Sequence, residues 1–448
     1  MRTYKVEIKL NTKQEHLYKL NTSACRVVYN LYVEHINSCL RSKQKPMNNY
    51  AFSKWFNNEY LPNHEDKKWL KDASSKAIKH TIGCCYQGYV RFLKGTCRPP
   101  KFKNSRNDNT GYFFVRNSRS SIIKHERHRI KVPCLGWVTL KEKNYLPVTA
   151  VITSGTITKR AGRYFISVLT QDETQKDNLN CNEGIGIDLG IKTFMSTSKN
   201  VEFVNINKSK KIKKLEKSLK IQQRALSRKF EAKKKDKERV TCKNLEKNKL
   251  KVQKLHYRLE CTRKGYINKC IDEVIRWKPA YITLEDLNIK GMLKNRHLSK
   301  AIRDSLLYYT KQKLLEKATK HNIEVREVNR FYPSSKACSK CGHVKKDLQL
   351  KDRVYVCSEC SLNIDRDLNA AINLKNAKDY IVLNSTDGLS GINACGLHKD
   401  LLVLNSVEHC EENMQDEARK SQLIFNNVLD KKVFSWENID CKIYLNIS

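Results

Sequence analysis

Acidic side chains are in short supply in this chain of 448 residues: 46 Asp and Glu stand against 87 Lys and Arg, a formal charge of +41. A surplus that large exceeds what solubility needs and makes a polyanion, nucleic acid foremost, the expected partner. Charge alone does not separate a nucleic-acid enzyme from a ribosomal or non-specifically binding basic protein. Long apolar runs are missing as well. No stretch approaches the roughly eighteen residues of a membrane helix, and the start MRTYKVEIKL has no secretory apolar core. The expectation is a soluble intracellular protein with no membrane partner. In a reducing compartment its 17 cysteines are not a disulfide framework. Cys84, Cys85 and Cys134, in apolar surroundings, read as buried thiols.

What is present is most specific between Lys336 and Leu374. Cys338 and Cys341 form one CxxC pair, Cys357 and Cys360 a second, and the 15 residues between them let a short ribbon fold back so that four thiolates converge on one tetrahedral Zn²⁺. The alternatives are a pair of disulfides or chance scatter; the repeated x₂ spacing and the turn-forming Gly342 favour zinc. The chain resumes as DRDLNAAINL. There Asn369, Ala370, Ala371 and Leu374 predict a packed helix and Asp367 a carboxylate held beside the metal-stiffened module.

The N-terminal half opens with an alternating strand over 4–11. Thr12 is the expected cap of a helix with Leu17, Leu20, Cys25, Val28, Leu31 and Ile36 on its apolar side. A second amphipathic helix is expected from Trp69 to Leu93, packed on the first. After the basic stretch GTCRPPKFKNSRNDN, Tyr112, Phe113 and Phe114 fit either base stacking or strand core. Short apolar runs from Ile130 to Leu169 predict strands, which with the first strand make one antiparallel barrel with the helices inserted between its first and second strands. A polar linker over 172–183 sets the main boundary near residue 180.

Beyond it, GIGIDLG reads as a central strand with Asp188 near its end, its glycines permitting close approach of backbone or ligand. Residues 206–278 predict two antiparallel basic helices turning near Lys235. Leu215, Leu219, Leu226, Phe230, Leu250, Leu255, Leu259, Ile267 and Ile271 form their apolar stripe, and the lysines favour a phosphate backbone alongside over a plain coiled coil. A strand over 280–285 ends in Glu285, a helix covers 300–320, and a further strand precedes the ribbon. Alternating strands and helices indicate a mixed α/β sheet with carboxylates at strand ends. Asp188, Glu285 and Asp367 are then placed to meet at one edge, where two Mg²⁺ ions would turn their mutual repulsion to use in hydrolysing a phosphodiester. His297 and Lys192 read as positioning or surface groups.

GIDLGIK, ITLEDLNIKGMLKN, RFYPSSKACSKCG and YVCSECSLNIDRDLNAAINL resemble the RuvC-like nuclease half of the TnpB/OrfB proteins, which are encoded by insertion sequences and resemble ancestors of type V CRISPR nucleases. The similarity extends over residues 1 to about 395. It implies an RNase H-like (RuvC) α/β nuclease domain over 181–335 and 364–395 with an inserted zinc ribbon over 336–363. Before it would lie a β-barrel wedge over 1–180 with a helical recognition insertion at about 12–110. It further implies Asp188, Glu285 and Asp367 as the catalytic, magnesium-binding triad, and Cys338, Cys341, Cys357 and Cys360 as ligands of a structural zinc. The implied partners are a guide RNA from the transposon end and double-stranded target DNA cut beside a short adjacent motif, in a prokaryotic cytoplasm, by a monomer or weak dimer. The competing functions are a nuclease-inactive RNA-guided repressor, which the three intact acids disfavour, and an accessory DNA-binding transposition protein. The transposase itself would need a tyrosine nucleophile beside paired metal-binding histidines, and none is seen. Two departures stand out. Ser361 replaces the usual glycine after the second CxxC, at an expected small cost. The extension over 396–448 is mildly acidic, with six basic and ten acidic side chains from residue 381 onward.

Overall fold

The computed structural model describes residues 2–104, 111–116, 122–171, 183–235, 242–345, 347–349 and 352–384. The expected linker up to residue 182, the turn after Lys235 and the C-terminal extension lie outside them. The described residues fall into two compact units, within Met1–Glu173 and Thr174–His398.

In the first unit, strands β1 (Arg2–Lys9), β2 (Gly111–Val115), β3 (Arg129–Val132), β4 (Gly136–Leu140), β5 (Ile152–Arg160) and β6 (Arg163–Thr170) form one antiparallel sheet in the order β2-β5-β6-β1-β4-β3. Period-two alternation drives it: Tyr4, Val6 and Ile8 of β1 are buried, opposite Val168, Ile166 and Tyr164 of β6. The ladder leaves β2 and β3 at its two ends among the described residues, so the antiparallel barrel expected is a curled half-barrel. Its aromatics are core: Tyr112 and Phe114 are buried, and Phe113 stacks on His80 at 4.0 Å.

Helices α1 (Thr12–Arg41), α2 (Asn49–Trp55), the single turn α3 (Leu61–Asn63) and α4 (Ser75–Leu93) are inserted between β1 and β2. The cap of α1 is Asn11, one residue before the expected Thr12, because Asn11 and Gln14 satisfy each other's backbone N–H groups at 2.9 and 3.1 Å. α4 starts later than expected, at Ser75, where Ser74 caps it and donates its backbone N–H to Asn21 of α1. The two helices share a core of Ala24, Val28, Ile78, Ile82 and Cys85. Of the three cysteines expected to be buried, only Cys85 is; Cys84 and Cys134 are exposed, since Cys84 lies off the apolar stripe and Cys134 sits in a turn with φ 69°.

In the second unit, β7 (Ile185–Leu189), β8 (Thr193–Thr197), β9 (Glu202–Val204), β10 (Tyr281–Glu285), β11 (Glu324–Val328) and β14 (Tyr380–Val382) form a mixed sheet in the order β14-β11-β10-β7-β8-β9. β7, β10 and β11 run parallel, and β8, β9 and β14 are antiparallel to their neighbours. Helices α5 (Lys210–Lys235) and α6 (Cys242–Arg276) form the basic hairpin, Arg263 reaching across to Glu216 at 2.9 Å. Its apolar seam holds at Ile212, Leu215 and Leu259, and Val252 and Leu245 nearer the turn are also buried, while Phe230 is 46 % exposed. The helix expected over 300–320 is divided. After the turn α7 (Ile289–Met292), α8 (Ser299–Ser305) stops at Leu306, which is left-handed at φ 52°, and α9 (Leu307–Lys320) begins.

α6 and α9 cover one face of the sheet, meeting Ile185 and Ile187 of β7 and Ile282 and Leu284 of β10. Alternation therefore turns Gly186 and Asp188, with Thr283 and Glu285, to the other face. There lies α10 (Arg366–Lys375), which packs against β7, β8 and β10. It approaches through Gly186: a Cβ at this position would stand 1.9 Å from the Ala371 carbonyl oxygen and 2.4 Å from the Lys375 nitrogen. Both neighbours are backbone and cannot rotate away. Gly186→Ala is therefore expected to cost about 3 kcal/mol or more and to displace α10, read as a lowered unfolding temperature with early proteolysis after residue 360. A variant as stable as the parent would contradict this packing.

A candidate carboxylate site braced by a four-cysteine ribbon

The parallel register pairs Gly186 with Thr283 and Ile187 with Leu284, so the next residues on each strand, Asp188 and Glu285, come to the same end of neighbouring strands on the same face. Asp367 arrives from the first turn of α10. Its position is set by Asp365, which caps the helix by accepting from the N–H groups of Asp367 and Leu368 at 2.8 and 3.1 Å. Burial pushes the Asp188 carboxyl up to about 7, helped by the charges of Asp367 and then Glu285 and opposed by Arg366. Burial, then Asp286, also raises Glu285. Asp188 thus feels both of the other predicted acids at one sheet end. Asp367 has a guanidinium nitrogen of Arg353 at 3.9 Å. His297 and Lys192 are exposed.

The predicted cysteines are brought together. Cys338 and Cys360 sulfurs lie 3.6 Å apart, Cys341 and Cys357 3.5 Å, and all four fall within 4.8 Å of one another. These separations exceed the roughly 2.05 Å of a disulfide and suit four ligands around one metal ion. Among the described residues no other group of three or more His, Cys, Asp or Glu gathers its donor atoms so closely. β12 (Val354–Val356) and β13 (Asn363–Asp365) pair antiparallel beneath the cluster. Buried Tyr355 donates its hydroxyl toward the Lys336 and His343 carbonyls at 3.2 Å, bridging the first knuckle.

Sequence reasoning missed how the ribbon is tied to the acids. Asn369 donates to the Ala337 carbonyl at 2.7 Å and accepts from the Ser339 N–H at 3.0 Å; Asn373 donates to the Ser334 and Ala337 carbonyls, both at 2.7 Å. Both amides are buried, one turn apart on α10. Their spacing in NAAIN was the available signal, since two amides four apart on an apolar helix face need partners. Ser361 has φ 56°, the counterpart of Gly342 at φ 79° in the first knuckle. The cost expected to be small is thus that of a left-handed non-glycine residue.

Two family matches cover parts of the chain: the family described as "Probable transposase" over residues 165–296 and "Cas12f1-like, TNB domain" over residues 308–374. Among curated proteins the chain is 25 % identical over 389 residues to "Putative RNA-guided DNA endonuclease InsQ" of Escherichia coli (strain K12), covering 84 % of this chain and 91 % of that protein. It is also 25 % identical over 355 residues to "Putative RNA-guided DNA endonuclease" of Streptomyces pristinaespiralis, covering 78 % and 82 %. Among solved structures, the protein of a Cas12f1–sgRNA–target DNA complex superposes with a TM-score of 0.53 over 82 % of each chain at 13 % identity, a likeness of fold. An α/β sheet with carboxylates at one end, a Cys₄ ribbon and a half-barrel with inserted helices together define the class. By these matches the chain is similar to the TnpB/OrfB and Cas12f1-like proteins. No helix among the described residues is long and apolar enough to cross a membrane.

Two measurements test the local chemistry. Ser361→Gly is expected to stabilise the ribbon by about 0.5–1 kcal/mol, the left-handed strain less the added entropy of the unfolded chain, seen as later metal release on titration with a chelator. For Asp188 the raised value means that the folded protein holds a proton which the unfolded chain releases between about pH 4 and about 7. Its stability contribution is therefore lost as pH rises through that window. In magnesium-free buffer Asp188→Asn should match the parent's unfolding temperature near pH 4 and exceed it increasingly toward pH 7; a pH-independent difference would contradict the shift.

Proposed function

We propose that this protein is an RNA-guided DNA endonuclease of a transposable element, hydrolysing target phosphodiesters at Asp188, Glu285 and Asp367 with magnesium in an RNase H-like (RuvC-type) domain. The carrying observation is the electrostatic one: two carboxylates on neighbouring parallel strands and a third at a helix N-terminus gather closely enough for two of them to raise the third. Like charges assembled at the end of a sheet are unfavourable by themselves and suit a divalent cation. The strand order β9-β8-β7-β10-β11, with β8 antiparallel to β7, supports the RNase H-like reading, and the printed names of the curated relatives support guidance by RNA and DNA as the target.

Asp188, Glu285 and Asp367 would hold the magnesium. Bound there, a pair of such ions supplies an activated water and stabilises charge on the leaving oxygen. The chain's own contribution is orientation: the Asp365 cap and Arg353 hold Asp367, and α10 keeps it on the Asp188 face of the sheet. Cys338, Cys341, Cys357 and Cys360 would bind zinc, whose tetrahedral thiolate sites have sulfurs about 3.8 Å apart, close to the separations found. The ribbon over 336–363 then braces the domain formed by 181–335 and 364–395. The wedge over 1–180 and the basic α5–α6 hairpin offer cationic surface to guide and target, with base pairing carrying sequence choice.

The test is cleavage by protein purified with its bound RNA, that RNA sequenced to design a complementary duplex. Cutting should require Mg²⁺. Asp188→Ala, Glu285→Ala and Asp367→Ala should each slow it at least about a hundredfold, the effect of about 2.7 kcal/mol on a barrier, with target binding retained. Binding without Mg²⁺-dependent cutting by the parent protein would favour the repressor. Elemental analysis should find one zinc per chain, lost with folding of the ribbon in Cys357→Ser.

A further inference from the structure

Phe331 is 88 % exposed, more than any other large apolar side chain among the described residues. Everything beside it is fixed. Its own N–H donates to the Asn329 side chain at 3.0 Å, and the Tyr332 N–H donates to the Asn329 carbonyl at 3.0 Å. The Tyr332 hydroxyl donates to the Asn373 carbonyl of α10 at 3.1 Å, its ring packing with Val328, Leu374 and Ala377. On the other side Arg330 donates to Asp286 at 2.6 Å. Asp286 follows Glu285, and Glu285 pairs across the ladder with Val328, three residues before Phe331. The ring is thus held out into water on a rigid turn at the carboxylate end of the sheet.

Its surroundings say what it faces. Its neighbours in the chain Asn329, Arg330, Pro333, Lys336 and Lys340 are exposed, and Tyr380, which pairs with Val328 on the adjacent strand, is 37 % exposed, so the turn that carries the ring is itself polar and basic in sequence. An exposed aromatic face on a turn whose sequence supplies Lys336 and Lys340 is an arrangement that can take an unpaired nucleobase. We propose that Phe331 is a positioning residue that stacks on a base of the DNA strand entering the carboxylate site, holding the scissile phosphate against Asp188, Glu285 and Asp367. This rests on the nuclease reading above. Stacking needs only a π-face, so it imposes no base preference, as a guide-programmed cutter requires.

The experiment uses the full-length protein with its co-purified RNA and a complementary duplex carrying 2-aminopurine at successive positions of each strand. In an Asp188→Ala background that does not cut, one position should be quenched on binding. Adding Phe331→Ala or Phe331→Leu should restore its brightness, and Phe331→Trp should keep it quenched. In the parent background Phe331→Ala and Phe331→Leu should slow single-turnover cleavage about tenfold or more, with target affinity and unfolding temperature unchanged and Phe331→Tyr restoring the rate. Phe331→Leu cutting at the parent rate, or fluorescence at no position responding to residue 331, overturns the proposal. A parent complex that binds but never cuts overturns the nuclease reading instead, and the fluorescence series still decides for or against Phe331.

Discussion

The second unit depends on a missing side chain. At Gly186 the backbone of α10 lies against β7 at a distance that no Cβ would tolerate, and Ala370 and Ala371 keep the helix equally thin on its own side. Backbone on backbone fixes both the height and the slide of the helix over the sheet, because neither surface has a rotamer with which to adjust. Asp367 sits in the first turn of that helix and Asp188 two residues beyond that glycine on the same face. Their proximity is thus a consequence of packing several ångströms away, where no charge is involved.

Such a constraint is needed because the electrostatics oppose it. Burial and two neighbouring negative charges all push Asp188 toward its neutral form. Asp367 has different surroundings: it lies in the first turn of a helix, at the positive end of the macrodipole, with Arg353 near one oxygen. The two acids differ in their surroundings, the helix end for one and, for the other, a buried strand position eased by Arg366 and the Leu189 backbone. In a chain of charge +41, acids gathered at one point would give a divalent ion a local reason to bind where the surrounding field would repel it.

Much of this was legible in the residues, and the parts that were not share a cause. Strands β7 and β10 announce themselves as apolar runs ending in an acid, and the doubled CxxC spacing survives as a gathered cluster because metal-ligand geometry is written in short-range spacing. The break at Leu306 was invisible, since a left-handed leucine carries no glycine or proline signal. That the barrel is a curled half-barrel was equally hidden, for closure depends on which distant strands pair. Asn11 and Thr12 are both good caps, and only the reciprocal bond from Gln14 chooses between them. Tyr112 and Phe114 alternate around Phe113 and so had the strand period that put them in the core. The meaning of Asn369 and Asn373 needed the ribbon's carbonyls, which lie some thirty residues away in the chain.

The ribbon and the acids form one mechanical unit because the ribbon is too small to stand alone. Its buried centre is Cys338, Tyr355 and Cys357, with Leu348, Cys360, Leu362 and Ile364 partly covered, far less apolar surface than an independent domain requires. Four sulfurs around a metal ion would supply the stability that the core does not, and the four hydrogen bonds made by Asn369 and Asn373 would carry it into α10. β13 runs without a loop into the Asp365 cap and thence into Asp367. Loss of the metal would therefore slacken the strand that delivers Asp367 and the amides that hold its helix, while Asp188 and Glu285, embedded in the parallel sheet, stayed where they are.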